Sequence, residues 1–348
     1  MSSTIDRRGF LVSLPALMMA PRVIAQTGNA PIKARAFNHV NLAVSDLKRS
    51  VDFYQGLFGM PVQGRTGSTS VQLRIGSGPQ HLALSSLASS SSNETGATPK
   101  IDHYCFGVEG FNVDRLVKTL ADHSVTKSDE RGAMKVQVSM RADTPQVYIG
   151  DPDGLVLQLQ DVSYCGGTGP LGSVCGQPEP APKNGLIALK GYSHCTVFAT
   201  DAARSNAFYQ QLFGMSIRSY QGPTAPTLAV GPGVEFLMLT GGGGGRGGAP
   251  AAPPRPASIN HYCFNLDGFN PDQILKTLES YGIKPRENQT GPVGPMRSYI
   301  SLRMENRGGA KEGTPELYFT DPDGILVQLQ DASYCGGSGF LGNLCPAT

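Results

Sequence analysis

The chain has no run of basic residues, no long uninterrupted apolar stretch and no closely spaced cysteine pair. Each absence removes a class of function. The formal charge of +2 over 348 residues is close to neutral, so neither nucleic acid nor an anionic lipid surface is an expected partner. No stretch is long enough to span a bilayer as a mature helix, so no membrane association is expected once the amino terminus is removed. Seven cysteines are present but none in the C-x-x-C spacing that a thiolate zinc site usually wants. A hydrophobic content of 39% suffices for one or two ordinary cores. Gly and Pro are concentrated in a few segments, as linkers between folded parts would be.

Residues 1–25 read as a targeting segment. Asp6-Arg7-Arg8-Gly9-Phe10-Leu11 precedes a short apolar run from Leu11 to Ala20, with small residues at Ala20 and Ala25. The pattern resembles a bacterial twin-arginine export signal and implies a periplasmic or secreted protein. Cysteine usage fits an oxidising compartment. Cys165 and Cys175 bracket a Gly-rich loop, and Cys335 and Cys345 repeat the spacing. Each pair is expected to form a local disulfide, which leaves Cys105, Cys195 and Cys263 unpaired.

The loop belongs to a larger duplication. DPDGLVLQLQDVSYCGGTGPLGSVC at Asp151–Cys175 returns as DPDGILVQLQDASYCGGSGFLGNLC at Asp321–Cys345. The stretch from Phe53 to Met60 recurs almost letter for letter from Phe208 to Met215. Alternation predicts opening strands at Ala36–Val44, Ile101–Val108, near Tyr192–Val197 and near Ile259–Phe264. Ser45 or Asp46 can cap a helix from Leu47 to Phe58 that Gly59 ends, and Asn112 can cap another reaching His123. Strands follow near Val71–Ile75, His81–Leu84, Lys135–Met140, Gln146–Ile149 and Leu155–Gln160. A Ser-rich loop (Ser85 to Ser92) and a Gly- and Pro-rich one (Gly241 to Pro256) break the two copies at matching places. An insertion, Met304 to Thr314, precedes the last closing strand. The order of strand, helix and about three strands occurs four times, an α+β architecture. It divides the chain into module 1 (36–165), a stapled tail and linker (166–190), module 2 (191–335) and a stapled tail (336–348). The modules can pair within one chain, so monomer and homodimer both remain open.

Four of the six histidines open the four units: His39, His103, His194 and His261. Side chains alternate across a strand, so each histidine shares a face with Asn41, Cys105, Thr196 or Cys263, opposite an apolar face. Gln158 and Gln328 sit on the matching closing strands. With these residues the chain resembles the vicinal oxygen chelate superfamily, which includes glyoxalase I, extradiol dioxygenases and bleomycin-resistance proteins. The resemblance implies paired βαβββ units, each pair curved into a U-shaped sheet with helices on its outer face. It also implies a divalent metal held by His39, His103 and Gln158, or by His194, His261 and Gln328.

The superfamily's closing-strand carboxylate is glutamine in both modules, which offers a neutral oxygen in place of a charged one. Fe(II) or Mn(II) is the favoured ion, and Zn or Cu follows if Cys105 or Cys263 adds a thiolate. His81 is a further candidate ligand in module 1, and a metal-free site is the alternative. The resemblance implies a small-molecule substrate and, first, an extradiol-like oxidation, with module 2 as the working half. There Tyr318 would orient the substrate and Arg303 would meet an anionic group, with Tyr148 and Arg141 as counterparts. A glyoxalase-type lyase or isomerase and a metal-free sequestering protein are the competing readings. The first of these needs a carboxylate base that the sequence does not reveal.

Overall fold

The computed structural model describes residues 30–87, 97–241, 256–288 and 290–346. The expected targeting segment, residues 1–25, and most of both loops at the module breaks lie outside them. In module 1 the strands are β1 (Ala34–Val44), β2 (Val62–Thr66), β3 (Ser70–Arg74), β4 (His81–Ser86), β5 (Lys100–Val108), β6 (Thr126–Lys127), β7 (Lys135–Arg141), β8 (Thr144–Gly150) and β9 (Val156–Asp161). Module 2 repeats them as β10 (Gly191–Ala199), β11 (Ile217–Tyr220), β12 (Pro226–Ala229), β13 (Phe236–Gly241), β14 (Ser258–Leu266), β15 (Lys284–Pro285), β16 (Arg297–Arg303), β17 (Thr314–Thr320) and β18 (Leu326–Asp331). The helices are α1 (Leu47–Phe58), α2 (Val113–Asp122), α3 (Ala202–Phe213) and α4 (Pro271–Ser280).

Local chemistry sets the helix ends. The Asp46 carboxylate accepts from Arg49 N at the start of α1, and the Asn112 amide oxygen does the same for Arg115 N in α2, each satisfying an orphan donor. Gly59 ends α1 with φ 66°, a left-handed cap that glycine adopts without strain. A Cβ at Gly59 would also meet Gly185 N at 2.5 Å. The linker therefore lies directly on the helix end, and Leu186 N and Ile187 N both donate to Leu57 O. Rather than hanging free, the predicted linker is docked on module 1. Strand β2, which the sequence pattern did not single out, is a short polar edge whose Val62 bridges to Glu179 of that linker. The Met304–Thr314 insertion forms a 3-10 turn at Glu305–Arg307.

Each module forms one mixed sheet, ordered β2-β3-β4-β1-β5-β9-β8-β7-β6 and β11-β12-β13-β10-β14-β18-β17-β16-β15. The two opening strands of a module, β1 and β5 or β10 and β14, pair antiparallel at the sheet centre. Each unit's last strand then lies parallel beside its first, as β4 on β1 and β9 on β5. This topology gathers the chemistry into one row across the sheet. His81 opposes His39, His39 opposes Cys105, Cys105 opposes Gln158, and Gln158 opposes Tyr148. The same row in module 2 reads Phe236, His194, Cys263, Gln328 and Tyr318.

The apolar faces of the two sheets meet in a continuous core. Helix α1 of module 1 carries Phe58 against Phe264 and Phe53 against Phe319 of module 2. In return, Phe213 of α3 packs on Phe106, and each such aromatic contact adds about 0.5–1.5 kcal/mol beyond the area it buries. Polar groups in this seam are paired across it. Tyr54 meets the Tyr262 hydroxyl at 2.8 Å and donates to Asp321 at 3.0 Å. Tyr209 meets Tyr104 at 2.6 Å and donates to Asp151 at 3.4 Å. The modules thus pair through their helices, and both histidine faces turn away from the seam.

Candidate metal centre and cavity

In module 1 the residues singled out from sequence converge. His39 Nε2 and His103 Nε2 each lie 3.0 Å from Gln158 Oε1, and the two imidazoles meet edge to face at 5.5 Å. All three side chains are buried, at 3%, 6% and 2% exposure. Cys105 occupies the row between His39 and Gln158 and forms the floor beneath them. Burial pushes its thiol well above the usual range, and Sγ donates to Phe106 O at 3.6 Å. His81 stacks on His39 with centroids 4.6 Å apart. Among the described residues no three His, Cys, Asp or Glu side chains converge; the third donor here is the glutamine amide.

Outer hydrogen bonds fix which atoms point inward. Asn38 Nδ2 donates to Tyr164 O at 2.7 Å, which turns its Oδ1 to His39 Nδ1 at 2.9 Å. His103 Nδ1 faces Asp102 Oδ2 at 2.7 Å. Gln158 Nε2 donates to Gln146 Oε1 at 2.8 Å, which turns Gln158 Oε1 towards the histidines. With both Nδ1 atoms protonated by this network, three lone pairs converge in a buried space. Such a donor set can accept a cation. A proton on His103 Nε2 would satisfy one contact and leave the His39 contact lone pair against lone pair. Burial, then the charges of His81, His103 and Arg141, hold His39 well below the usual imidazole range, against the opposing bond from Gln158. Burial raises Asp102, but His103 and Arg131 more than offset it and hold the carboxyl at about 2. His81 is pushed down to about 4, chiefly by burial.

The triad opens into a cavity of about 320 Å³, lined among others by His81, Ala83, Gln72, Arg131, Arg141 and Tyr148. Arg131 stands over the Tyr148 ring at 4.7 Å, and Tyr148 in turn meets His103 edge-on at 5.5 Å. Tyr164 forms part of one wall. Both expected disulfides are present, Cys165–Cys175 and Cys335–Cys345. Tyr164, just before the first, lies 5.9 Å from His39 and 6.0 Å from His81, centroid to centroid.

Module 2 starts from the same residues and arrives elsewhere. His194 Nε2 lies 3.0 Å from Gln328 Oε1, but His261 Nε2 and Gln328 Nε2 are buried without partners. Burial pushes His261 down to about 4, opposed by the nearby Gln328, although no atom meets Nε2 with hydrogen-bonding geometry. Phe236 stands in the place of His81 and stacks on His194 at 4.4 Å. Tyr318, expected to orient substrate, does meet His261 edge-on at 5.4 Å. It also stacks on Tyr299 and donates to Glu316 at 3.3 Å. Arg303, expected to meet an anionic group, is wholly buried. Its Nε donates to Glu316 at 2.8 Å, Nη1 to Gly308 O and Nη2 to Gly337 O, each at 2.8 Å. Its charge is neutralised by Glu316. Glu316 carried no pattern signal, since only the fold sets it beside Arg303 across a hairpin that contains the insertion.

The sequence matches the Glyoxalase/Bleomycin resistance protein/Dioxygenase superfamily over residues 36–159 and 191–329, most of the chain, and the protein belongs to that superfamily. No curated protein sequence matches it. Among solved structures it is similar to the Mn(II)-bound glyoxalase from Novosphingobium aromaticivorans, with 14% identity, TM-score 0.54 and coverage of 86% of this chain and 82% of that one. It is also similar to a catechol 2,3-dioxygenase, at 15% identity and TM-score 0.55 over 91% of each chain. Homoprotocatechuate 2,3-dioxygenase from Arthrobacter globiformis matches at 17% identity and TM-score 0.55, covering 89% and 83%. At these identities the likeness extends to the fold.

Proposed function

We propose that module 1 is the working half, that His39, His103 and Gln158 hold one divalent metal ion, and that the cavity beside them receives a small molecule bearing adjacent oxygens. The observation that carries this is the convergence of three lone pairs held in place by Asn38, Asp102 and Gln146. When bound, the ion would supply positive charge to two substrate oxygens in a site screened from water. With two imidazoles and a neutral amide, Fe(II) or Mn(II) suits the donor set, at lower affinity than a carboxylate triad gives. The structural neighbours include a Mn(II)-bound glyoxalase and extradiol dioxygenases, which is consistent with such an ion.

For reaction type we favour extradiol-like oxidation over glyoxalase-type isomerisation. The latter needs a carboxylate free to move a proton. The carboxylate lining this cavity is Asp102, already bonded to His103 and held at about 2, which makes it a weak base. The protein's own residues bind and orient: His81 and Tyr164 wall the ligand, and Tyr148 fixes the face of His103. A metal-free binder is the second reading, favoured by the neutral amide at the closing strand. Export by the twin-arginine route is part of the proposal; the two disulfides accord with an oxidising destination.

Anaerobic Mn(II) titration of the purified protein, followed by electron paramagnetic resonance, tests the metal reading. One ion per chain, lost in His39→Ala and kept in His194→Ala, is the expected result. No bound ion would leave the sequestering protein, and loss only in His194→Ala would move the centre to module 2.

A further inference from the structure

The two modules treat one arginine in opposite ways. Arg303 ends β16 and is neutralised by Glu316 on the neighbouring strand at 2.8 Å. Arg141 ends β7 at the equivalent place, where the residue matching Glu316 is Gln146. Every partner of Arg141 is neutral: Thr66 Oγ1 at 3.1 Å, Gly166 O at 2.6 Å and Gly167 O at 3.4 Å. Gln72, with its amide turned so that both ends are satisfied, accepts from Arg141 Nη1 at 3.1 Å. Among the described residues no carboxylate lies within ion-pairing distance of it.

The surroundings make this more than a missing partner. Arg141 lines the cavity of about 320 Å³ and stands 5.9 Å from the Tyr164 ring, the same ring that borders His39 and His81. The carboxylate in the lining, Asp102, is committed to His103 at 2.7 Å and to Arg131 at 3.8 Å. One positive charge is therefore in excess where water is partly excluded, and such a charge favours an anionic partner. The insertion that gives Arg303 the Gly308 carbonyl is absent from module 1, so Arg141 stays at the open side. Glycine carbonyls of the disulfide loop hold its guanidinium in one place, so what it offers a ligand is a fixed, uncompensated positive charge at the cavity wall.

We propose that Arg141 is the anion-binding end of the module 1 cavity and that the ligand is a small organic carboxylate. Its acid group meets Arg141 while its neighbouring oxygens face His39, His103 and Gln158. The volume lies at the low end for ligand pockets, enough for one ring and a short acid. The orientation of the ligand rests on the metal reading above; the anion site itself does not.

Calorimetry with catechol and 3,4-dihydroxybenzoate, which differ by one carboxylate, tests the proposal on the Mn(II)-loaded protein. The acid should bind roughly tenfold to a hundredfold more tightly, the range for a charge-assisted arginine contact. The preference should disappear in Arg141→Met and in Gln146→Glu. The second variant copies the arginine–glutamate pair that module 2 already accommodates, and its Oε1 can still accept from Gln158. Thermal unfolding checks the fold of both variants; Arg141→Met is expected to keep its Mn(II), and Gln146→Glu, which touches Gln158, is compared with the parent at matched Mn(II) occupancy. Equal affinities for the two probes in the metal-loaded parent would overturn the anion site while leaving the metal centre standing. If no Mn(II) binds, benzoate against benzamide on the same protein decides. A benzoate preference that vanishes in Gln146→Glu upholds the anion site without the metal, and no preference overturns it.

Discussion

Module 1 and module 2 share a sheet order, a row of histidine, cysteine and glutamine, and a stapled tail, yet the side chains around that row differ, and in module 1 they line a cavity of about 320 Å³. The difference lies in a few side chains. Where module 1 has His81, Ala83, Gln137 and Gln146, module 2 has Phe236, Met238, Tyr299 and Glu316. The first set is smaller or neutral and leaves a cavity; the second stacks on His194, stacks on Tyr318 and neutralises Arg303. A duplicated fold thus surrounds the same row of residues with two different sets of neighbours. With Gln146 in the place of Glu316, Arg141 lacks the carboxylate that neutralises Arg303, and a guanidinium so paired has little charge left for a ligand.

The staples offer the largest break in this comparison. Replacing Cys165 and Cys175 by Ser, or Cys335 and Cys345, should each cost about 2–3 kcal/mol, the chain-entropy value for a short loop, measured by denaturant unfolding. Only the first replacement should also weaken binding of an anionic probe. Arg141 depends on Gly166 and Gly167 carbonyls, whereas Arg303 keeps Glu316 when Gly337 moves. Equal losses of probe binding from both staples would argue that the cup is not confined to module 1.

A smaller effect sharpens the contrast at the closing strands. Gln158→Glu should tighten Mn(II) by about tenfold, since one more ligand charge is added to an oriented donor set. Gln328→Glu should change little, because Gln328 lacks the partner that aims Gln158. Metal titration of both variants reads this directly, and a larger gain in Gln328→Glu would reverse the assignment of the two halves.

The smallest effect concerns the seam. Gln80 and its counterpart Glu235 meet across it, Gln80 donating to Glu235 at 3.0 Å while Phe37 N donates to the other oxygen at 2.6 Å. Burial raises Glu235 to about 8, with those two bonds opposing. A carboxyl with a folded value above its unfolded one binds its proton more tightly when folded. Its contribution to stability is therefore largest below about pH 4.5 and is lost as pH rises towards about 8. Glu235→Gln should flatten the pH dependence of unfolding across that window, and an unchanged slope would mean that Glu235 is solvated in the folded protein.

Much of the fold could be read from pattern. The capped α1 and α2, the four opening strands and the local disulfides follow from cap residues, alternation and spacing, which act within a few residues. The histidine face was legible for the same reason, since strand alternation fixes which side a residue takes. What could not be read was which half would be open. Arg141 and Arg303 look alike in sequence, and the first expectation gave the anion role to Arg303. Gln146 and Glu316 each sit two residues before a matching tyrosine, and nothing local says that one of them neutralises an arginine on the next strand. The docking of the 176–189 segment on α1 and the tyrosine pairs of the seam depend likewise on contacts between distant parts of the chain.

By itself, then, the amino-acid order determined the repeated unit, its secondary structure and the two sets of metal-type donors, because propensity, capping and side-chain alternation are short-range. Only the tertiary structure decided that Asn38, Asp102 and Gln146 orient His39, His103 and Gln158 around one buried space and that, among the described residues, no carboxylate pairs with Arg141. Those facts depend on distances between strands and loops far apart in sequence, and a charge or a lone pair acts on whatever the fold places within a few ångströms of it.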